Sequence, residues 1–225
     1  MKTLDSIPRR NILKAGAALL FPGLAGCGHS PFGKTVSAYW DQRSGRDLFT
    51  REQVEKLPYA TLAVTLGDLP RVMMVLMRIE GNDLHWVSAD KAILVTRHGR
   101  IVKTVGLAAG NLANTVMLDT DPISSRSIQE KPVQWRRSVD WRPSGEFGRT
   151  LVSDWQPGAI EEIQTYWGAR RARRIHETST TPSAHWTLAN TFWLDVSTGE
   201  AVASLQNIIP ATPSLRLEVL KPYRG

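Results

Sequence analysis

The sequence predicts an all-β fold, an antiparallel meander that closes into a single barrel-like or sandwich domain with one short N-terminal helix. Short runs rich in β-branched and aromatic residues alternate with polar residues over most of the 225-residue chain. Turn signals built on Gly, Asn and Asp separate these runs by only a few residues, so consecutive strands must pair antiparallel. The composition agrees with a soluble globular domain, because 42% of the residues are hydrophobic and 22% are charged.

One short helix is predicted ahead of the strands. Thr50 and Gln53 have the form of a capping box, with Thr at the N-cap and Gln at the third helical position. Val54 and Leu57 lie on one side of this segment, and Pro58 ends it. We therefore expect a single helix at the start of the folded domain.

The hydrophobic period changes to two after the helix. The first five predicted strands cover residues 61–66, 71–80, 84–88, 92–97 and 101–105. Residues 106–114 interrupt the pattern. Further strands are predicted over 133–141, 148–154, 160–166, 171–178, 187–196, 201–209 and 215–220. Residues 159–169 are compatible with a helix as the alternative, because two Glu residues suit a first helical turn.

Tryptophans at alternating strand positions indicate a barrel core. In the predicted strand 133–141, Trp135 and Trp141 share one face with two valines, and Arg137 is the exception to the alternation. No linker-like stretch divides residues 50–220. With some eleven strands, we expect one closed domain, because closure removes the unpaired edges that a meander would expose.

Residues 1–26 have the features of a bacterial lipoprotein signal peptide. The basic residues come first, at Lys2, Arg9, Arg10 and Lys14. The apolar run that follows, residues 15–23, is far shorter than the roughly 20 residues that span a bilayer. The next four residues have the form of a lipobox, Leu24, Ala25, Gly26 and Cys27. The alternative, a buried amphipathic helix, is disfavoured because Pro22 and Gly23 would break it.

Cys27 is predicted to carry diacylglycerol on its thiol and a third acyl chain on its freed amine. Two or three acyl chains give stable membrane anchoring, whereas one chain gives only marginal binding. Gly28 favours the outer membrane, since an Asp at this position is the usual signal for retention in the inner membrane. Arg9 and Arg10, followed by Asn-Ile-Leu-Lys, resemble the twin-arginine export motif. Pro8 departs from the usual Ser or Thr, and general secretory export is the alternative.

The chain thus divides into a signal peptide over 1–26, a lipidated cysteine and flexible tether over 27–47, and one β-rich domain over 48–225. The formal net charge is +7, but the leader contains four basic residues and one acidic residue, so three of these positive charges are removed with it. Cys27 is the single cysteine, so no internal disulfide can form.

Several long motifs resemble those of the YjbF/GfcB lipoprotein family. They are LPYATL at 57–62, LHWVSADKAILVTRHGRIVKTVGL at 84–107 followed by NLANT, DWRP at 140–143, NTFWLDVSTGEAVASLQNIIP at 190–210 and LEVLKPY at 217–223. The resemblance covers roughly residues 50–223. It implies a mostly-β, barrel-like lipoprotein that faces the periplasm and takes part in the production or export of exopolysaccharide or group 4 capsule.

The same resemblance implies partners but no catalytic residues. The expected partners are a large outer-membrane barrel protein and a periplasmic protein of the export system. Cys27 is the one functional position that the resemblance transfers. A twin-arginine leader is not part of it, so the export route stays open.

The strongest charge run of the mature chain is a candidate contact for an anionic polysaccharide. It consists of Arg170, Arg171, Arg173 and Arg174. The guanidinium group binds carboxylates and phosphates bidentately, which suits uronic acids. The alternative is a solvated strand face. Nucleic acid is not expected as a partner, because the lipobox places the domain outside the cytoplasm and no nucleic-acid motif accompanies the run.

The sequence predicts neither an enzyme nor a metal or cofactor site. Ser88 and Lys91 match the Ser-x-x-Lys motif, but they lie in a predicted β-turn instead of at a helix start. The five histidines lack the spacing of metal ligands. Three acids lie beside tryptophans on predicted strands, Asp140, Asp154 and Asp195. A glycoside hydrolase needs two such acids close together, so the separation of these three in a structure tests the hydrolase hypothesis.

The predicted function is therefore a non-catalytic one. We expect an outer-membrane-anchored lipoprotein that assists exopolysaccharide or capsule production or export by binding assembly partners. The first alternative is a carbohydrate-binding module that contacts the exported glycan. The second is a polysaccharide-modifying enzyme.

Replacement of Cys27 tests the lipid anchor. The Cys27→Ser variant should move from the membrane to the soluble fraction, because it lacks the thiol that accepts the lipid. Mass spectrometry of its N-terminus should show no acyl chains, whereas the wild type should carry two or three. Absence of acyl mass on the wild-type protein would disprove the interpretation of the leader.

Overall fold

The computed structural model describes residues 47–125, 131–142, 144–182 and 184–223. The predicted signal peptide, Cys27 and nearly all of the predicted tether lie outside the described residues. Within the described part, no helix combines the length and the hydrophobicity needed to cross a membrane.

The predicted helix is present as α1, Arg51–Lys56. The capping box is confirmed: Gln53 N donates to Thr50 Oγ1 at 3.2 Å, and Thr50 N donates to Gln53 Oε1 at 2.7 Å. These two bonds satisfy backbone groups that a helix start otherwise leaves unpaired. Val54 is fully buried, and Leu57 continues in extended conformation ahead of the first strand.

Within the described residues, twelve antiparallel strands form one sheet that rolls into a nearly closed barrel, which confirms the predicted all-β meander. The strands are β1 (Thr61–Leu66), β2 (Val72–Glu80), β3 (Asp83–Ser88), β4 (Ile93–Arg97), β5 (Arg100–Val105), β6 (Asn111–Met117), β7 (Val133–Arg142), β8 (Glu146–Thr165), β9 (Gly168–Thr180), β10 (Leu188–Asp195), β11 (Ala201–Gln206) and β12 (Leu215–Lys221). A 3₁₀ turn covers Pro122–Ser125. Chain neighbours pair throughout except for β5 and β6, and β1 pairs with β12.

The strand assignment differs from the sequence prediction in two places. β6 was not predicted: it begins at Asn111, inside the interrupted stretch 106–114, and ends at Met117. A register irregularity between Leu112 and Asn114 obscures its alternation. The segments predicted over 148–154 and 160–166 are one strand, β8, so the helical alternative for 159–169 is wrong.

Gly158 explains why β8 resembles two strands in the sequence. It suggests a turn, but it lies at a register irregularity between Pro157 and Ile160. A Cβ atom at Gly158 would lie 2.8 Å from the carbonyl oxygen of Arg174. The glycine therefore permits a close approach of the neighbouring strand and does not reverse the chain.

The seam between β5 and β6, where no ladder closes the barrel, is bridged by side chains. The Ile101 N–H donates to Gln206 Oε1 at 2.9 Å, and the Leu112 N–H donates to Thr104 Oγ1 at 2.9 Å. Gln206 Nε2 also donates to Gly99 O at 2.8 Å. These bonds pair backbone groups that an edge strand would leave buried without partners.

Apolar side chains fill the barrel and also cover part of its outside. The largest interior cluster contains Trp86, Trp141 and Leu217, and a second one surrounds Trp155 and Phe192. Outside, α1 covers β1 and β12 through a third cluster, Phe49, Val54, Ala63 and Leu220. The prediction that tryptophans form the barrel core is confirmed for Trp135, Trp141 and Trp155, which are at most 2% exposed.

Gly99 is predicted to be essential for the β4–β5 turn. Its φ is +86°, and an added Cβ would lie 2.4 Å from the Cβ of Ala201. Gly81 is the matched control, because its φ is +58° and its added Cβ would have no neighbour within 4 Å.

We expect Gly81→Ala to lower the free energy of unfolding by roughly 1 kcal/mol through backbone strain. Gly99→Ala should lose about 1–3 kcal/mol more through overpacking. Urea denaturation measures both values. Adding Ala201→Gly should recover the excess loss of Gly99→Ala, and equal losses for the two single variants would contradict the close contact.

Candidate functional site

Several hairpin turns meet at one end of the barrel, which we call the rim. Because the meander runs up and down, this end receives the start of β1, the end of β12 and the turns at 81–82, 98–99 and 196–200. A cavity of about 900 Å³ opens here. This volume lies within the roughly 300–1,000 Å³ that is usual for small-molecule sites.

The rim cavity has an apolar wall and a polar border. Its apolar wall includes Leu62, Leu84, Trp86, Leu217 and Val219. Its polar border includes Asn82, His98, Thr165, Arg170, Thr198 and Glu200. This mixture of aliphatic surface with hydrogen-bonding groups is typical of a ligand site and not of a closed core.

A second groove, of about 540 Å³, adjoins the rim cavity. It is lined by Pro58, Tyr59, Ala60, Leu76, Lys221, Pro222 and Tyr223. Pro222 and Tyr223 line both spaces, so the two lie side by side across the ends of β1 and β12, and we call them together the depression. Lys221 holds this region to α1, because its Nζ donates to Leu57 O at 2.5 Å and to Glu55 O at 3.4 Å.

The four arginines singled out in the sequence lie on β9 but do not form one cluster. Arg170 borders the rim cavity, with its Nη1 3.4 Å from Asp195 Oδ2. Arg171 is exposed. Arg173 donates to the carbonyl oxygen of Gly158 at 3.1 Å, and Arg174 Nη1 lies 3.4 Å from Glu161 Oε2. Side chains alternate between the two faces of a strand, which separates neighbours in the run. Their contact with an anionic glycan stays a prediction.

The three acids considered for glycoside hydrolysis are far apart. Asp154 pairs with Thr178 of β9, and Asp195 pairs with Ala172 of the same strand. Thr178 and Ala172 are six positions apart, which separates the two acids by about 20 Å at 3.3 Å per residue. Asp140 is likewise six positions along β7 from Gln134, the partner of Asp154, or about 20 Å. A hydrolase pair requires a separation of about 5–9.5 Å, so these acids cannot act as one.

Each of these acids has a structural partner instead. Asp140 accepts a hydrogen bond from Gly148 N at 2.7 Å, and Asp154 accepts one from Gln134 at 3.1 Å. Hydrogen bonds from Ser197, more than any other contact, lower the pKa of Asp195. The carboxylates thus stabilise turns and strand pairs.

The Ser-x-x-Lys stretch forms a turn between β3 and β4, as predicted. Ser88 Oγ bonds to Asp90 and accepts from Ala92 N at 3.0 Å, and Lys91 adopts a φ of 66°. In the described ranges, no group of three His, Cys, Asp or Glu side chains is placed to hold a metal ion.

A buried ionic cluster lies inside the barrel. The sequence patterns do not predict this cluster. Arg100 Nε and Nη2 donate to the two oxygens of Asp121 at 2.7 and 3.3 Å. Arg100 Nη1 donates to Glu177 Oε2 at 2.8 Å, and Arg137 Nη1 lies 3.4 Å from Glu177 Oε1. All four side chains are at least nine-tenths buried. Two positive and two negative charges therefore balance each other away from water.

Neutral groups complete the hydrogen bonds of this cluster. Glu177 also accepts from Trp135 Nε1 at 3.0 Å and from Asn190 Nδ2 at 2.7 Å. Arg137 donates to Ser153 Oγ at 2.7 Å and to Ser179 Oγ at 3.1 Å. The guanidinium carbon of Arg100 also lies 4.5 Å from the ring centre of Trp135. A buried charge is tolerated only when it is paired and hydrogen-bonded in this way.

The cluster changes the pKa values of its members. Burial alone raises the pKa of Glu177, but the charges of Arg100 and Arg137 outweigh it and lower the pKa to about 2. Burial lowers the pKa of Arg137 to about 10, with Glu177 opposing the change. The exception that Arg137 makes to the strand alternation was the one sequence signal of this cluster.

Comparison with known proteins identifies similar chains. A family model described as "Group 4 capsule polysaccharide lipoprotein gfcB, YjbF" matches residues 36–220. The uncharacterized lipoprotein GfcB of Escherichia coli (strain K12) is 30% identical over 203 residues, which cover 88% of this chain and 94% of GfcB. The uncharacterized lipoprotein YjbF of the same organism is 27% identical over 162 residues, 71% of this chain and 75% of YjbF.

A solved structure has the same fold. The crystal structure of the hypothetical lipoprotein YmcC from Escherichia coli (K12) matches with a TM-score of 0.67 and 28% sequence identity. The match covers 86% of this chain and 96% of YmcC. The barrel described above is therefore similar to the fold of this hypothetical lipoprotein.

The buried cluster predicts an acid-sensitive fold. We expect Glu177→Gln to lower the free energy of unfolding at pH 7 by about 3–5 kcal/mol, because it leaves two buried arginines with one carboxylate. In the wild type, the depressed pKa of Glu177 stabilises the fold at any pH above the usual carboxyl pKa of 4.5, and this contribution is lost as the pH falls from there towards 2. Unfolding measured between pH 7 and pH 2 should show a shallower acid decline for Glu177→Gln.

Asp119→Asn is the control for this experiment. Asp119 pairs with Arg136 at 3.0 Å on the solvent-exposed surface, next to the buried Arg137. Exposed ion pairs contribute little because water screens them. A wild-type acid decline in Glu177→Gln would show that Glu177 is not the titrating group.

Proposed function

Because the chain belongs to the group 4 capsule polysaccharide lipoprotein family, we propose that it is a non-catalytic, lipid-anchored component of exopolysaccharide or capsule production. In this proposal, acyl chains on Cys27 hold it in the outer membrane, with the barrel facing the periplasm. The barrel binds assembly partners of the export system, an outer-membrane barrel protein and a periplasmic protein. The family relation supports the link to capsule polysaccharide.

The observation that carries the non-catalytic part is the position of the candidate acids. Asp140, Asp154 and Asp195 are about 20 Å or more apart along the strands, and each is hydrogen-bonded to a neighbouring turn or strand. The buried carboxylates of Asp121 and Glu177 form ion pairs with Arg100. These carboxylates act as structural groups.

The rim supports a second candidate function, that of a carbohydrate-binding module. The depression there is lined by tyrosines and polar side chains, which is the kind of surface that binds a ligand. The two functions are compatible, because an assembly lipoprotein of an export system can also contact the exported chain.

The first test is capture of partners by the intact, lipidated protein. Crosslinking in its own membrane, followed by pull-down and mass spectrometry, should recover an outer-membrane protein of the export system. The Cys27→Ser variant is the control and should lose this protein, since it no longer reaches the membrane. Recovery of the same proteins with both variants would contradict an anchored assembly role.

The second test asks whether polysaccharide output depends on single acids. Asp140→Asn and Asp154→Asn, alone and combined, should leave the output of polysaccharide per cell unchanged, because neither acid takes part in chemistry. Cells that lack the protein give the baseline. If one of these variants abolished output while folding and partner crosslinks stayed intact, the enzyme hypothesis would replace this proposal.

A further inference from the structure

Two exposed tyrosines line the same groove at the rim. Thr61 on β1 pairs with Lys221 on β12, and Tyr59 and Tyr223 each lie two positions beyond this pair, at the same end of the two strands. Tyr59 is 57% exposed and Tyr223 is 49% exposed. Each follows a proline, and the fixed φ angle of the proline restrains the backbone that leads to the tyrosine. The two rings thus lie on stiff segments outside the core.

Other tyrosines and tryptophans of the same region serve the fold. Tyr166 packs against Phe49 with ring centres 5.6 Å apart, and Trp167 Nε1 donates to the carbonyl oxygen of Leu220 at 2.5 Å. These contacts fix the tip of the β8–β9 hairpin on β12. Tyr59 and Tyr223 instead expose about half of their surface, and they line the depression described above.

The depression has the shape and chemistry of a site for an extended chain. It comprises the groove beside Ala60 and Leu76 and the rim cavity, and Tyr223 lines both. A protein–protein interface favours a desolvated apolar centre. Here the tyrosines are accompanied by amide, imidazole, hydroxyl, guanidinium and carboxylate groups along the cavity border.

We propose that this depression binds an extended acidic polysaccharide. A pyranose ring has an apolar C–H face, which packs on an aromatic ring, and hydroxyl groups at its edge, which require hydrogen bonds. Tyr59 and Tyr223 supply the packing surface, and the polar border of the cavity supplies the hydrogen bonds. The inference rests on the proposed function, because that function places the protein in polysaccharide production.

Arg170 gives the site its preference for an acidic chain. It borders the cavity, and about half of its side chain is exposed. Its contact with Asp195 is long, 3.4 Å, and uses one of the five N–H donors of the guanidinium group. The other donors suit a carboxylate or another anionic substituent of the sugar chain. Of the four arginines in the run, Arg170 is therefore the one assigned to the glycan.

The test is binding of the lipidated mature protein, in detergent micelles, to polysaccharide purified from the cells that produce it. We expect Tyr59→Ala and Tyr223→Ala each to weaken binding about tenfold, which is the usual effect of truncating an aromatic anchor. Phe147→Ala is the matched control. Phe147 is an aromatic residue that is 63% exposed, and it lies near the opposite end of the barrel. Its replacement should leave affinity unchanged.

A second pair of measurements tests the role of Arg170. The same polysaccharide is prepared with its carboxyl groups reduced to alcohols. Arg170→Gln should bind the native polysaccharide several-fold more weakly than the wild type does. The variant and the wild type should bind the reduced polysaccharide equally well. Equal losses for both forms would remove the charge contact from the proposal.

Two results would overturn the inference. Either the wild type fails to bind the purified polysaccharide, or the tyrosine variants bind it as well as Phe147→Ala does. If the tyrosine variants instead lost a crosslinked protein, the depression would be a protein-docking surface. In each of these cases, capture of export partners by the wild type would leave the proposed function standing, so the two failures can be told apart.

Discussion

The pairing of β1 with β12 is the constraint on which the rest of the structure depends. It joins strands from opposite ends of the folded chain, and six register pairs hold them together. Without it, the sheet would be open on two sides, and α1 would have no surface to cover. Bringing two strands so far apart in the chain together has an entropic cost. The pairing of β1 with β12 therefore requires the favourable contacts that β2–β11 make with one another.

The barrel is closed by different physical means on its two sides. On the β1–β12 side, backbone hydrogen bonds continue the ladder. On the β5–β6 side, side chains replace it: Thr104 and Gln206 pair the edge groups, and Arg100 at the start of β5 binds Asp121 and Glu177. The ionic cluster thus fixes the free edge of the sheet against β9. A buried ion pair of this kind is weak evidence for net stability, but its geometry is demanding, so it favours one position of β5 over others.

Local sequence patterns predicted most elements of the fold and little of the site. Capping chemistry at Thr50 and alternation in β1 and β7 depend on neighbouring residues, so they are visible in the sequence. β6 was missed because a register irregularity hides its period, and Gly158 was misleading because a close approach between strands resembles a turn. The partners of Arg137 come from distant strands, so the sequence marked this residue as an exception without giving the reason.

The rim tyrosines show the same limit. Both lie in motifs that resemble the lipoprotein family, yet nothing local indicates that Tyr59 and Tyr223 line one groove. They come together through the register of β1 and β12, so the depression across them exists only in the closed barrel. A ligand that binds there binds the folded state alone and stabilises it by mass action. The site that we assign to the glycan therefore depends on the same strand pair that completes the fold.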